Sequence, residues 1–475
     1  MKKITIQRAA PFVTLFLVAV LALFVPSFSE FDGTDAYNSA DIAWILVATA
    51  LVFLMTPGLA FFYGGMVHRK NILSTMIKSF VATGIVSILW VTLGYSLAFG
   101  DSLGGLIGNP LTHLFFKGVG SSAPWAGAPT IPLMLFALFQ LMFAIITPSL
   151  VVGAVAERIR FSSYILFIVL FSLFVYAPIA HWTWNPEGFL FKMGILDFAG
   201  GTVVHISAGC AALAGAMVLK RRKSHKEHKE MPPSNIPYVL IGTGLLWFGW
   251  FGFNAGSALA ANGLAVSAFG TTNTAAASAG LAWMFFDVLK GKKPSVLGFC
   301  IGAVVGLVAI TPAAGFVAIP QSIFIGAVAA IISNVAVYYK SKSVLDDTLD
   351  VFPCHGIGGI VGMILTGVFA TKAVNAGGND GLFYGNPAFF LTQIKGLVIV
   401  VAYSFSASYA IFKFINWVMP IRVSEEDEEI GLDASQHDEK YLQGTLLVRK
   451  EGSIIEEEVE LDAARPNVVI QRVEF

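Results

Sequence analysis

Eleven apolar stretches, centred near residues 52, 86, 144, 171, 210, 246, 278, 304, 329, 363 and 405, are each long enough for a bilayer-crossing helix. No other feature narrows the fold as far. Composition agrees: only 13% of the 475 residues are charged, against roughly 25% in soluble domains, and mean hydropathy is +0.74. The chain reads as an all-α integral membrane protein. The eighth and ninth stretches, either side of Thr311-Pro312, are the least cleanly separated.

A further apolar run precedes these. Lys2 and Lys3, the run from Pro11 to Pro26 and then Ser27-Phe28-Ser29 have the form of a secretory signal peptide over residues 1–29, cleaved after about Ser29. An uncleaved anchor or an extra amino-terminal helix is the alternative. Cytoplasmic loops hold the excess of Lys and Arg. Alternate loops carry Arg69 and Lys70; Arg158 and Arg160; Lys220, Arg221, Arg222, Lys223, Lys226 and Lys229; Lys290, Lys292 and Lys293; and Lys340 with Lys342. The opposite loops hold only Lys117, Lys192, Lys372 and Lys395. This places the mature amino terminus outside and, with an odd span count, the carboxyl end in the cytoplasm. The membrane domain then covers residues 30–420, and residues 421–475 form a cytoplasmic acidic tail rich in glutamate from Glu425 to Glu429. Such a segment usually stays solvated, but the basic 220–229 loop faces the same side and offers a surface to dock on.

Several chemistries are disfavoured. Cys210, Cys300 and Cys354 all lie in apolar runs, so neither a disulfide framework nor a CxxC metal site is expected. The spans hold no string of carboxylates of the kind hard cations need. A net charge of zero and the lack of a basic domain give no reason to expect nucleic-acid binding. No enzyme activity, cofactor or metal is expected.

Two histidines stand out. His205 in DFAGGTVVHISAG and His355 in DVFPCHGIGGIVG both lie within apolar spans, each eight residues after an aspartate, Asp197 and Asp347. An ionisable group at such depth usually faces a bundle interior or a permeation path. The recurrence about 150 residues apart is what a duplicated half leaves behind. One membrane histidine alone would as readily be an interhelical hydrogen-bond donor; two at repeated spacing favour a pore. Phe143, Trp184, Phe253 and Ser257 complete the candidate lining. Aromatic faces attract small cations without a carboxylate, and imidazole can pass a proton. Such a path suits a cation that can lose its charge by losing a proton, which Na⁺ and K⁺ cannot do.

The segments FFYGGMVHRKN, FQLMFAIITPSLVVGAVAERIRF, LDFAGGTVVH, WFGFNAGSA, DVFPCHGIGGIVG and VSEEDEEIGLD resemble, in order, the Amt branch of the ammonium transporter (Amt/Mep/Rh) family, over roughly residues 38 to 440. The resemblance implies eleven helices as an inverted five-helix repeat plus one, a homotrimer with one pore per subunit, and transport of ammonium or ammonia, and of methylammonium, across the inner membrane. It assigns Trp184 and Ser257, flanked by Phe143, to an outer cation-binding site, Phe143 with Phe253 to a stacked gate, and His205 with His355 to the pore. Asp197 takes a structural and electrostatic role, compatible with capping the fifth helix, and Asp350 is grouped with it. After Trp184 the chain reads Asn185-Pro186-Glu187-Gly188 where the family is glycine-rich, which could move Glu187 toward the outer mouth. The resemblance also implies a PII-type nitrogen regulatory protein at the cytoplasmic face, although His437-Asp438-Glu439-Lys440-Tyr441 departs from the family's tail motif.

Two other function classes are open to a chain of this kind. One is an ammonium sensor signalling through its tail, which a transport-dead variant that still signals would support. The other is a bis-histidine haem protein, which needs the two imidazoles apart across a wide slot and would show a Soret band.

Overall fold

The computed structural model describes residues 6–25, 37–120, 123–229, 232–441, 446–450 and 453–457. Within them, eleven helices fall on the eleven sequence centres. They are Ser39–Met66, Arg69–Phe99, Leu133–Val155, Phe161–Met193, Gly201–Leu219, Ile236–Gly256, Gly263–Leu289, Val296–Ile310, Ile319–Ser341, Phe352–Phe369 and Pro387–Val418, here the first to eleventh spans. Nine are long and apolar enough by themselves to cross a membrane. The seventh carries the polar run Thr271-Thr272-Asn273-Thr274. The eighth has 15 residues and ends in a turn at Thr311-Pro312, which explains why it and the ninth blur in the sequence.

The first and sixth spans pack along one another, and the fifth packs on the tenth, so spans five places apart meet in both cases. Small residues let the backbones approach. A Cβ at Gly242 would collide with the backbone of Phe62, and one at Gly209 with that of Gly356. The second, fourth, fifth and tenth spans each contain a wider, π-helical turn, a feature frequent at functional sites.

The amino-terminal helix Ile6–Ala22 leaves Phe12, Leu15, Phe16 and Leu21 exposed; the expected cleavage after Ser29 lies outside the described residues. The start of the tail is seated rather than solvated. Ser424 caps the short helix Glu425–Ile430. The Glu428 carboxylate accepts from Arg422 at 2.5 Å and from the Lys223 N–H at 2.7 Å, and Glu429 pairs with Lys223. Asp433 then accepts the free N–H groups of Leu73 and Ser74 at 3.1 and 2.7 Å, capping the second span from a distant part of the chain. Beneath this lies a buried charge network. Arg222 grips Asp346 through Nε and Nη2 at 3.0 and 2.9 Å and reaches Glu157 at 2.5 Å. Burial alone would raise the Asp346 carboxyl, but Arg158 and Arg222 outweigh it and hold it well below the usual carboxylate range.

Candidate functional site

The fifth and tenth spans begin alike. The Asp197 carboxylate accepts from the N–H groups of Gly200, Gly201 and Thr202 at 2.9, 2.6 and 2.7 Å, and from the Thr202 hydroxyl. Asp347 accepts from Val351 and Phe352 at 3.1 and 2.7 Å. In both cases the aspartate caps residues four and five positions on, and the histidine follows at position eight within a π-helical turn. A negative charge at a helix start also opposes the positive end of the helix dipole. Burial pushes the Asp347 carboxyl up to about 6, against the pull of Lys340. Asp350 is placed differently: it forms an ion pair with Lys340 at 2.7 Å. The duplicated capping residue of the second half is therefore Asp347.

These caps aim the two imidazoles at each other. His205 and His355 are both buried, with ring centroids 5.5 Å apart and Nδ1 atoms 3.4 Å apart. One proton serves that contact, so when both rings are neutral one presents a bare Nε2 acceptor and the other an Nε2–H donor. His205 Nε2 has no hydrogen-bond partner among the described residues. The space beside the pair holds about one water-sized molecule, far less than a porphyrin, which counts against an axial haem pair.

Aromatic rings close one side of this pair. Phe143 and Phe253 lie 4.4 Å apart at 45°, and Phe253 is 5.9 Å from His205. Trp184 stands edge-on to Phe143 at 5.8 Å, and its indole N–H donates to the Asp197 carbonyl at 3.1 Å. The order Trp184, Phe143, Phe253, His205, His355 is thus a continuous file of rings. Ser257 lies one helical turn beyond Phe253, where its hydroxyl donates to the Phe253 carbonyl at 2.8 Å. Glu187 is exposed and paired with Lys192 at 2.6 Å.

A narrow apolar cavity, with room for about one water-sized molecule, runs along the histidines between Phe253, Trp250, Leu246, Ile146 and Leu59. A second, lined by Tyr63, Met66, Leu349 and Cys354, continues from His355. Sequence reasoning missed three contributors. Trp250 stacks on His205 at 5.3 Å. Thr311 accepts the Trp250 indole N–H at 2.9 Å. Gln393 of the eleventh span holds the residue before Asp197 by a pair of bonds, accepting from Leu196 N–H at 2.9 Å and donating to its carbonyl at 2.7 Å. Only Trp250, three residues before Phe253 on the same helix, had a sequence signal.

The family model described as the ammonium transporter family matches residues 43–441. The ammonium transporter of Aquifex aeolicus is 48% identical over 427 residues, covering 90% of this chain and 98% of that protein. Among solved structures, Saccharomyces cerevisiae Mep2 matches with a TM-score of 0.80 at 36% identity, over 90% of this chain and 96% of that one. A sensor Amt protein matches with a TM-score of 0.76 at 29% identity, over 84% of this chain and 98% of that one. The fold, the ring file and the capped histidine pair meet in one conclusion: this chain is a multi-pass membrane protein of the ammonium transporter family.

Proposed function

We propose that the chain conducts ammonium across the cytoplasmic membrane, as ammonia with its proton handled separately. The observation that carries this reading is the His205–His355 contact, 3.4 Å between Nδ1 atoms, beside an apolar cavity and behind the Phe143–Phe253 pair. An ammonium ion is drawn to the outer mouth, where Trp184, Phe143 and the Ser257 hydroxyl partly replace its water. Aromatic faces contribute about 0.5–1 kcal/mol each where exposed and about 2 kcal/mol or somewhat more where desolvated, whereas an unpaired charge in a medium of low dielectric costs tens of kcal/mol. The magnitudes decide the step: the ion sheds its proton before the gate, and neutral ammonia passes Phe143 and Phe253. Along the histidines it finds one acceptor and one donor nitrogen. The proton either returns to the outer side or crosses through the imidazole pair.

In this reading the subunits form a trimer, the amino terminus is outside, and the seated tail lies on the cytoplasmic side, where a PII-type protein docks. The sensor reading rests on a more distant likeness, 29% against 48% identity, and transport is the better supported. Full-length protein in proteoliposomes, with ammonium flux and current recorded together, tests this: ammonium-dependent flux without K⁺ flux is expected, and its absence removes the reading.

A further inference from the structure

We infer that Trp250 and Thr311 are positioning residues that fix the plane of the His205 ring for proton handling, an inference that rests on the transport reading above. The His205 imidazole lies nearly parallel to two rings of the sixth span, Trp250 at 5.3 Å and 24° and Phe253 at 5.9 Å and 21°. Trp250 and Phe253 are 5.4 Å apart and back the imidazole from one side, so a swing about its side-chain torsions lifts it off both rings. Its orientation decides whether Nδ1 meets His355 and Nε2 faces the cavity, because the two nitrogens are distinct and the bond made at one sets the state of the other.

Trp250 is itself held. A buried indole N–H needs an acceptor, and the Thr311 hydroxyl oxygen supplies it at 2.9 Å. That hydroxyl donates its own proton to the Leu307 carbonyl at 2.7 Å, so its oxygen is left as an acceptor aimed at Trp250. Thr311 is fully buried and is not among the residues that line the cavity. The same turn reaches His205 by a second route. Pro312 packs so closely on Gly201 that a Cβ there would collide with its ring, and the Pro312 carbonyl accepts from Phe198 N–H at 3.1 Å. The turn that cuts the eighth span short therefore fixes the start of the helix that carries His205 and also the ring stacked on it. This gives the early end of the eighth span a purpose that a plain transmembrane helix would not have.

The test uses full-length protein in proteoliposomes, with ammonium current measured per reconstituted protein across pH, and thermal unfolding alongside. Thr311→Val keeps the shape and leaves the indole N–H unpaired. A buried unpaired donor biases the ring by about tenfold or more, so the current should fall about tenfold and its pH profile should shift. Thr311→Ser, which keeps the acceptor, should restore both. Trp250→Phe removes the N–H, so within that background Thr311→Val should change nothing further; this coupling also serves if Thr311→Val alone fails to assemble. A Thr311→Val protein with reduced thermal stability but unchanged current and pH profile overturns the inference and leaves Thr311 a packing residue. Additive losses in the double variant would also overturn it. If the unaltered protein carries neither flux nor current, the transport reading itself fails, which the first measurement separates from failure of the inference.

Discussion

The aspartates Asp197 and Asp347 occupy matching places: each caps the helix that carries a histidine eight residues later, and those histidines meet at Nδ1. The caps are what make the meeting reproducible, since each fixes where its span starts and how the first turn winds. Asp197→Ala leaves several buried N–H groups without a partner and should cost ~2 kcal/mol or more, while Asp197→Asn, which keeps an acceptor, should cost less. Thermal unfolding in detergent, followed by flux measurement on the surviving protein, checks both. An alanine variant as stable as the parent would show that the cap contributes nothing.

Phe253 and Phe167 separate gating from packing. Both are fully buried; Phe167 stacks on Phe412 at 4.5 Å and 12°, away from the ring file. Alanine at either site should lower stability by ~3–5 kcal/mol. Only Phe253→Ala should change the flux or the discrimination against K⁺ among molecules that remain folded. Matching effects on selectivity would return Phe253 to a packing role.

The Asp346–Arg222–Glu157 network gives a pH signature. The Asp346 carboxyl is held below its ordinary value of 3.8, so its contribution to stability is present in full above that value and is lost as the pH falls through and below it. Asp346→Ala leaves the buried Arg222 with Glu157 as its one remaining carboxylate partner and should cost ~3 kcal/mol near pH 7. The difference from the unaltered protein should narrow as the medium is acidified toward pH ~3. A difference that is constant with pH would mean the pair is not ionised as described.

Topology has its own check. Mass spectrometry of purified protein should find a mature chain beginning near Glu30, and a reporter fused after Phe475 should be cytoplasmic. A periplasmic carboxyl end would contradict an outside amino terminus with eleven spans.

What could be read from the chain follows from the range of the forces involved. The eleven helix positions were legible because hydrocarbon demands a long apolar run, and that demand is local. The recurrence of aspartate and histidine at a spacing of eight was legible as duplication, since it needs only counting. Which aspartate caps the tenth span was not: Asp347 and Asp350 are three residues apart, and only the backbone shows that Asp347 accepts the helix N–H groups while Asp350 turns to Lys340. Thr311 and Gln393 were invisible because their partners, Trp250 and Leu196, lie 61 and 197 residues away. The tail's seat was suggested by opposite charge, but Asp433 as a cap for the second span required long-range geometry.

The most direct test of the account is to replace His205 and His355, singly and together, with apolar residues of similar size, and to record ammonium current and K⁺ permeability on reconstituted protein. Either single replacement should abolish the current while assembly survives, because one interhelical hydrogen bond contributes only ~0.6–2 kcal/mol. The double replacement should add little, since groups that act as a unit are not additive. An acidic replacement should keep flux but let K⁺ begin to compete, because a carboxylate can exchange protons and can also hold a charged ion in the cavity. Full ammonium current with undiminished selectivity in the apolar double variant would contradict the paired-histidine mechanism.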